Sequence, residues 1–301
     1  MRFSVWPGPA QRWSSALELA RHAEETGWDG VWFADHFMPN TEDPGGDILE
    51  CWATIAALAV AVPRVRLGTL VCGNTYRHPA VLANQAAAVD VISGGRFTLG
   101  LGAGWQRNEH ERYGIRLPPT RERLERLDEA CRVVRALTSQ ERADFSGRYY
   151  SLTGAPLEPK PLQDPLPLLV GGGGEKITLR IAARHADAWN TWGNPKVMRH
   201  KIEVLEGHCE ELGRDPATIH RSANAFVFFR TEQKLHDEGR PKTLDDRSVM
   251  GASDELTETL NAYREAGVDE FILPDFHLGG GPERTEFLDR FMEEVAAPLR
   301  D

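Results

Sequence analysis

The stretch that decides the fold reads Arg66-Leu-Gly-Thr-Leu-Val-Cys72 and then, after a helical run, Arg96-Phe-Thr-Leu-Gly-Leu-Gly-Ala-Gly104. Two strand-like runs, 65–71 and 96–101, flank that helical run, which extends from Pro79 to Ile92. Parallel strands need a crossover of this kind, so the stretch predicts one βαβ unit. Both strands end in small residues, and ligands of parallel α/β folds bind at the carboxyl ends of strands. We therefore predict that this unit forms one wall of a cofactor site.

The rest of the chain continues the alternation of strand and helix patterns. The predicted strands are 2–6, 30–34, 65–71, 96–101, 168–170, 186–190, 222–230 and 269–273. A helical pattern follows each of them, which is typical of an α/β fold of the (β/α)8 or TIM-barrel class. We predict a single domain over residues 1–301 with insertions after strands 4 and 7. The second insertion, 231–253, is polar and lacks a steady period, and we interpret it as a lid over the barrel mouth.

The amino-acid composition limits the kinds of molecule that this protein is expected to bind. The chain has 301 residues and a formal net charge of −10 at pH 7, which argues against nucleic acid and anionic membranes. The longest apolar run, 51–62, is shorter than the roughly 20 residues that a membrane span needs. The first residues lack the apolar core of a signal peptide, and the four cysteines have no metal-ligand spacing. We expect a reduced, cytoplasmic protein that acts on a small molecule.

Residues that follow the strands of a barrel point into one common mouth. In this chain they are Trp6, Asp35, His36, 72–74, 102–105, 171–174, 190–192, Asp275 and His277. Aromatic residues and glycines dominate the set, whereas zinc and two-metal sites need several histidine and carboxylate ligands. Asp35, His36 and His277 are too few for that purpose, so we expect no metal.

Several of these residues allow two interpretations. Gly171 to Gly174 is suited to cradle a phosphate before a helix that begins near Glu175, but it is also consistent with a flexible turn. Cys72-Gly73 is either a tight turn or a bend of the chain beneath a planar ring. Trp105 and Trp192 either pack in the core or form walls of an apolar substrate pocket.

His36 is the candidate acid–base residue. A lone histidine after a strand is often a hydrogen-bonded structural residue, but histidines titrate near neutral pH and commonly move protons in catalysis. Its neighbour Asp35 either orients it or binds a ligand. The position of the pair at the predicted barrel mouth favours the functional interpretation.

Four motifs resemble those of the bacterial luciferase-like superfamily, and within it those of the deazaflavin-dependent oxidoreductases. They are Gly30-Val-Trp-Phe-Ala-Asp-His36, Leu67-Gly-Thr-Leu-Val-Cys-Gly-Asn-Thr-Tyr-Arg-His-Pro79, Asp90-Val-Ile-Ser-Gly-Gly-Arg-Phe97 and Gly100-Leu-Gly-Ala-Gly-Trp105. The resemblance extends from the first strand to 266–274 and so covers nearly the whole chain. It implies one luciferase-like TIM-barrel domain with insertions, usually a homodimer.

The resemblance also implies a cofactor, coenzyme F420 or FMN, across the barrel mouth. Its tricyclic ring would lie against a non-proline cis peptide, which falls at 71–72 or 72–73 in this sequence. The implied cofactor-binding residues are Asp35, Val71, Cys72, Gly73, Asn74, Gly102, Gly104, Gly171, Gly172, Gly173 and Gly174, the last four at the phosphate. In sugar-oxidising relatives the residues that match Asp35 and His36 contact the deazaflavin and act as general base.

One departure from the family pattern concerns the substrate. Sugar-phosphate dehydrogenases of this family carry an acidic residue where this chain has Trp105, and the nearest carboxylate is that of Glu109, one helical turn later. The departure argues against a substrate like glucose 6-phosphate and favours an apolar pocket. The candidate pocket residues are Trp6, Trp105, Glu109 and Trp192.

We therefore predict an oxidoreductase that transfers a hydride between F420 and a small organic substrate, with His36 as the acid–base residue. The alternative is an FMN-dependent luciferase-like monooxygenase that uses reduced flavin and O₂. A second alternative is a non-catalytic flavin-binding barrel.

Overall fold

The computed structural model describes residues 1–43, 45–230 and 246–300. Parallel strands form a closed barrel in which each strand is hydrogen-bonded to its neighbours. Pairing of the third barrel strand with the fourth closes the ring. The barrel strands are β1 (Arg2–Trp6), β2 (Gly30–Phe33), β3 (Arg66–Thr69), β5 (Phe97–Gly102), β8 (Leu168–Gly171), β9 (Ala188–Trp192), β10 (His220–Asn224) and β13 (Glu270–Pro274). The predicted (β/α)8 TIM barrel is confirmed.

Helices cover the outside of the barrel. They are α1 (Trp13–Glu25), α2 (Cys51–Ala61), α3 (Pro79–Ser93), α4 (Arg107–Tyr113), α5 (Thr120–Ser139), α6 (Thr178–His185), α7 (Pro195–Leu212), α8 (Ser253–Glu265) and α9 (Pro282–Arg290). After α9 the chain continues in a π-helical turn, Phe291–Ala296, and a short 3-10 helix, Ala297–Leu299. Because helices cover the strands, β5 is buried along its whole length, and its sequence is an almost unbroken apolar run.

Successive side chains of each strand belong to two different cores. In β1, Phe3 and Val5 join the large cluster that packs beneath the helices, whereas Trp6 joins a smaller cluster with Trp32 and Ile272. This alternation follows from the period of two in a strand, which sends neighbouring side chains to opposite faces. The smaller cluster fills the barrel interior beneath the mouth of the barrel.

Two pairs of short strands lie outside the barrel, in the chain segments after β5 and after β10. The first pair is an antiparallel hairpin of β6 (Ala143–Ser146) and β7 (Ser151–Ala155). The second is a parallel pair of β11 (Phe226–Phe229) and β12 (Ser248–Gly251). These segments follow the fourth and seventh barrel strands, where the insertions were predicted. Residues 231–245, the main part of the predicted lid, lie outside the described residues.

The structure corrects two predicted boundaries. The seventh barrel strand ends at Asn224 rather than Arg230, because the segment from Phe226 pairs with β12 instead of the barrel. Helix α6 begins at Thr178 rather than Glu175, because the glycine segment is followed by a turn before the helix. Among the described helices, none is long and apolar enough to cross a membrane.

Candidate active site

A cavity of about 1490 Å³ opens at the carboxyl ends of the barrel strands. Most of the residues selected from the sequence line it: Trp6, Asp35, His36, Val71, Cys72, Gly73, Gly102, Gly104, Trp105, Gly171, Gly172, Gly174 and Trp192. The fold therefore gathers them from six strand ends into one site. Asn74, Glu109 and Gly173 do not line this cavity, and their positions are described below.

His36 stands just beyond β2 and is held by a carboxylate. Its Nδ1 lies 3.0 Å from Oε2 of Glu109, which approaches from α4. No partner for Nε2 of His36 is found among residues 1–43, 45–230 and 246–300, and its side chain keeps 19% of its surface exposed. Fixing Nδ1 in this way defines the ring orientation and leaves Nε2 available to a ligand.

Glu109 is fully buried beneath His36, which corrects its assignment to the substrate pocket. Its carboxylate also accepts hydrogen bonds from the Tyr76 hydroxyl and the Phe37 backbone N–H. Burial alone favours the protonated acid, but the hydrogen bonds from His36, Tyr76 and Phe37 outweigh it and lower the pKa of Glu109. The result is a buried carboxylate that stays ionised and positions the imidazole.

Asp35 follows the same strand but forms a different ion pair. Its two carboxylate oxygens accept hydrogen bonds of 2.5 and 3.1 Å from the guanidinium of Arg77, which also donates to Glu50. Burial raises the pKa of Asp35, and the contacts with Arg77 act against that effect. The carboxylate of Asp35 therefore anchors the segment before α3 to the end of β2, although the residue lines the cavity.

A non-proline cis peptide joins Leu70 to Val71, one bond earlier than the family resemblance implied. The Val71 side chain lies across the ends of the neighbouring strands. A Cβ atom added at Gly102 would come within 2.7 Å of Val71 Cγ2, and one added at Gly171 within 2.8 Å of Val71 Cγ1. These glycines thus admit the isopropyl group of Val71, so the wall that a ring would touch is the valine rather than bare backbone.

The two residues next along the chain differ in their accessibility. Cys72 lines the cavity with its backbone, while its thiol is buried and burial raises the pKa of that thiol. Asn74 is buried away from the cavity, where its Nδ2 donates to the Tyr150 hydroxyl at 3.3 Å. The Asn74 side chain, which follows β4 (Cys72–Gly73), is therefore not part of the cavity wall, and its contact with a cofactor stays a prediction.

The glycine segment after β8 presents unused donors. Gly172 has a φ of +125°, a conformation that favours glycine, and it turns the chain away from the strand. Within the described residues, no acceptor is found for the backbone N–H groups of Gly173, Gly174, Glu175 and Lys176. Lys201 of α7 lies alongside and pairs with Glu175 at 2.5 Å. Such a run of free N–H groups beside a cation suits an anionic group.

Aromatic rings form a large share of the remaining wall. Trp6, Trp192, Phe226 and Phe276 follow four different barrel strands, and each ring contacts two others of the set at centroid distances of 4.9–5.9 Å. Trp105 stands apart from this aromatic cluster, beside His36.

Asp275 precedes Phe276 in the chain and pairs with Arg284, and burial raises the pKa of Asp275 to about 6. The described residues contain no cluster of three or more metal-ligating side chains.

A family model described as luciferase-like monooxygenase matches residues 1–241. The chain belongs to the luciferase-like family.

Curated relatives of this luciferase-like chain carry a more specific name. An F420-dependent glucose-6-phosphate dehydrogenase of Kineococcus radiotolerans is 39% identical, over 94% of this chain and 92% of the relative. A protein of the same name from Nakamurella multipartita is 36% identical, over 95% of this chain and 93% of the relative. An F420-dependent secondary alcohol dehydrogenase, solved as an F420–acetone adduct, superposes with a TM-score of 0.86 at 24% identity, covering 100% of this chain and 99% of that one. This last likeness shows the fold alone.

Sequence reasoning missed several residues of the luciferase-like site, among them Arg77 and Tyr76. Both stand in the motif that ends at Pro79, but nothing local distinguished them from surface side chains. They are recruited by Asp35 and Glu109, which are buried acids that require donors. A buried carboxylate is visible only after folding, so the sequence offered no signal for its partners.

Proposed function

We propose that this luciferase-like protein is an oxidoreductase that transfers a hydride between coenzyme F420 and a small organic substrate. The observation that carries the proposal is the pair of His36 and Glu109 at the cavity mouth, with Nδ1 of the imidazole fixed and Nε2 without a protein partner in the described chain. Curated relatives at 36–39% identity are named as F420-dependent dehydrogenases, which supports this cofactor over FMN.

The residues present fit a tricyclic cofactor with an anionic tail. Val71, seated on Gly102 and Gly171, offers an apolar shelf for a planar ring. The free N–H groups of 173–176 and the ammonium of Lys201 would hold phosphate oxygens. When bound, F420 supplies a ring carbon that accepts or donates a hydride. The protein then has to position the substrate carbon and handle one proton.

His36 is placed to handle that proton. With Nδ1 bound to Glu109, Nε2 can take a proton from a substrate hydroxyl or return one to a carbonyl oxygen. The ionised carboxylate of Glu109 stabilises the positive charge that appears on the imidazole when the proton arrives. Tyr76 and the Phe37 N–H keep that carboxylate in place during the transfer.

The test uses His36→Ala together with His185→Ala, a control at a partly buried ion pair outside the cavity. Substrate-dependent loss of cofactor absorbance should fall about 100-fold or more in His36→Ala, while the dissociation constant for F420 changes less than about threefold. The control should retain wild-type values. Equal loss of turnover and cofactor affinity would make His36 a binding residue and would contradict its role in proton transfer.

The choice between cofactors is tested by titration. Purified protein is mixed with F420 and, separately, with FMN, and fluorescence is followed to saturation. We expect binding of F420 in the micromolar range or tighter and at least tenfold weaker binding of FMN. Tight FMN binding without F420 binding would replace this proposal with the FMN-dependent monooxygenase. F420 binding without turnover of any alcohol, imine or enone would favour the non-catalytic barrel.

We further propose that the protein is a cytoplasmic homodimer. All four cysteines are buried as free thiols, in keeping with a reducing compartment. Helices α2 and α3 pack side by side and carry apolar residues on their outer surfaces as well as their inner ones. Val60, Val81 and Ile92 are 74%, 53% and 49% exposed there. A helix that is apolar all round is normally buried, and a second copy of the chain would bury this face.

A further inference from the structure

Trp105 occupies an unusual position for a large apolar side chain. It is 58% exposed, yet it lines the cavity and contacts the ring of His36 at a centroid distance of 5.6 Å. The two rings are nearly perpendicular, at 81°, so the contact uses little of the indole surface. An aromatic ring left open beside the acid–base residue is a surface against which a planar group can stack.

The aromatic cluster lies on the other side of the same cavity. Trp6 follows β1, Trp192 follows β9 and Phe276 follows β13, whereas Trp105 follows β5. In the ring order of the barrel, β13 is the strand farthest from β5, with three strands between them in either direction. The cavity therefore has open aromatic surface on two opposing sides, with His36 beside one of them.

Two of the three arginines in the described part of the cavity wall pair with carboxylates. Arg284 is buried and pairs with Asp275, and Arg12 is 85% exposed beside Asp47. Arg247 lies over the face of Trp192, with its guanidinium carbon 5.8 Å from the ring centroid. A phosphate monoester needs two or more cations, or several N–H donors, in one place. Within the described residues, the donors that meet this need lie in the glycine segment proposed for the cofactor.

We propose that the substrate is an uncharged secondary alcohol, or the corresponding ketone, with a planar aromatic or otherwise apolar ring, and that Trp105 is the residue that selects it. The ring stacks on the indole of Trp105, and the aromatic cluster forms the apolar wall across the cavity. Because Trp105 adjoins His36, this stacking brings the carbinol oxygen to Nε2 of His36. With F420 bound, the hydroxyl proton would go to His36 while the cofactor took up the hydride of the alcohol carbon, and the ketone would be released; the reverse reaction would consume reduced F420. This inference rests on the proposed function.

The substrate class is tested with a matched panel. Purified protein loaded with F420 is given 1-phenylethanol, 1-cyclohexylethanol, 2-propanol and glucose 6-phosphate, and kcat/KM is measured for each. We expect values for the two ring-bearing alcohols at least tenfold above that of 2-propanol, and no measurable turnover of glucose 6-phosphate. Preference for glucose 6-phosphate, or equal values for 1-phenylethanol and 2-propanol, would overturn the inference.

The role of Trp105 is tested with three variants. Trp105→Ala should raise KM for 1-phenylethanol about tenfold and leave that for 2-propanol within twofold, because only the ring-bearing substrate loses a stacking partner. Trp105→Phe should restore most of the lost affinity. Trp13→Ala, which removes another exposed tryptophan outside the cavity, is the control and should change neither value. Equal losses for both substrates would show that Trp105 supports the fold and does not select the substrate.

Failure of the inference is separable from failure of the proposed function. Cofactor binding is measured on its own by fluorescence titration, and binding of acetophenone is measured by calorimetry with and without F420. Absence of F420 binding would refute the proposed function whatever acetophenone does. Binding of F420 without acetophenone binding and without turnover of any ring-bearing alcohol would refute the substrate class and leave the cofactor assignment standing.

Discussion

Glu109 is the single residue on which the chemistry of the site most depends. Its buried carboxylate accepts hydrogen bonds from His36, Tyr76 and the Phe37 N–H, so one charge holds two separate parts of the chain, 36–37 and Tyr76. The sequence located Glu109 but assigned it to the substrate pocket, because spacing on a helix does not reveal which turn faces the interior. The structure makes it a positioning residue for His36.

Replacing Glu109 separates positioning from binding. In Glu109→Gln the amide no longer stabilises the charged imidazole, so kcat should fall between about 10- and 1000-fold while the F420 dissociation constant stays within about threefold. Glu111→Gln, at an exposed position on the same helix, is the control. Steady-state kinetics and cofactor titration measure the two effects. An unchanged kcat in Glu109→Gln would show that His36 acts without its partner.

Asp275 gives a pH dependence of stability whose sign follows from its environment. Burial raises the pKa of Asp275 to about 6, so the folded protein binds this proton more tightly than the unfolded chain, where carboxyls titrate near 4. As pH rises from about 4 to about 6, ionisation therefore lowers the free energy of unfolding, by an amount on the order of 3 kcal/mol for two pKa units. Above that window the effect is constant.

Asp275→Asn should remove this dependence. Urea denaturation of wild type and variant at pH 4.5, 5.5 and 7 gives the difference in unfolding free energy, in which the other titrating groups cancel. We expect the wild type to lose stability relative to the variant as pH rises through this range. A difference that stays constant with pH would place the pKa of Asp275 near its usual value and would show that the contacts with Arg284 and the Gly8 N–H offset the effect of burial.

At the scale of secondary-structure elements, the βαβ unit from β3 to β5 forms the proposed cofactor wall. In this wall the side chain of Val71 packs against the backbone of Gly102 and Gly171. The sequence predicted that small residues let a ring approach the strands. In the structure the side chain of Val71, which follows the neighbouring strand β3, occupies the space above Gly102 and Gly171. The glycines are required by a protein contact, and we propose that the cofactor ring contacts the valine.

A double-mutant cycle tests the packing of Val71 against Gly102. Gly102→Ala should destabilise the fold by about 1–3 kcal/mol, because the added methyl lies 2.7 Å from Val71 Cγ2. The Val71→Ala variant lacks the γ-methyl groups, and in that variant Gly102→Ala should cost less than half as much stability as it does in the wild type. Gly207→Ala on α7, where nothing lies within 4 Å of the added Cβ, is the control and should be neutral or stabilising. Additive losses in the double variant would contradict the contact.

At the scale of the whole molecule, the apolar outer face of α2 and α3 is the feature that a single chain leaves unexplained. Helices at the surface of a monomer carry a polar outer side, whereas the exposed residues of α2 are all apolar and those of α3 are apolar except for Asn84. Their exposed valines and alanines form one continuous patch, since the helices are neighbours around the barrel. Burial of this patch against a second copy would account for its composition.

The double variant Val60→Glu, Val81→Glu should therefore convert a dimer into a monomer, since it places two carboxylates on the proposed dimer face. Analytical ultracentrifugation measures the mass, and circular dichroism checks that the barrel persists. Gly207→Glu, which adds a charge to an exposed site on α7, should leave the dimer intact. A monomeric wild type, or a double variant that stays dimeric, would contradict this interface.

The sequence by itself determined the barrel, the order of its strands and the ends of those strands that form the site. These features depend on local patterns: apolar runs, helical periodicity, and the glycines and prolines that end elements. The family motifs around His36 and Gly104 are also contiguous, so they could be recognised without a structure.

Only the tertiary structure decided which side chains act together. His36 and Glu109 are 73 residues apart in the chain, and Asp35 and Arg77 are 42 apart, so no local pattern records their pairing. The same holds for Val71 on Gly102 and for the aromatic cluster that faces Trp105. Closure of the barrel brings separate strand ends within contact distance, and burial then makes each acid require its donors. For that reason the strand ends that line the cavity could be predicted from the sequence and the partners of His36 could not.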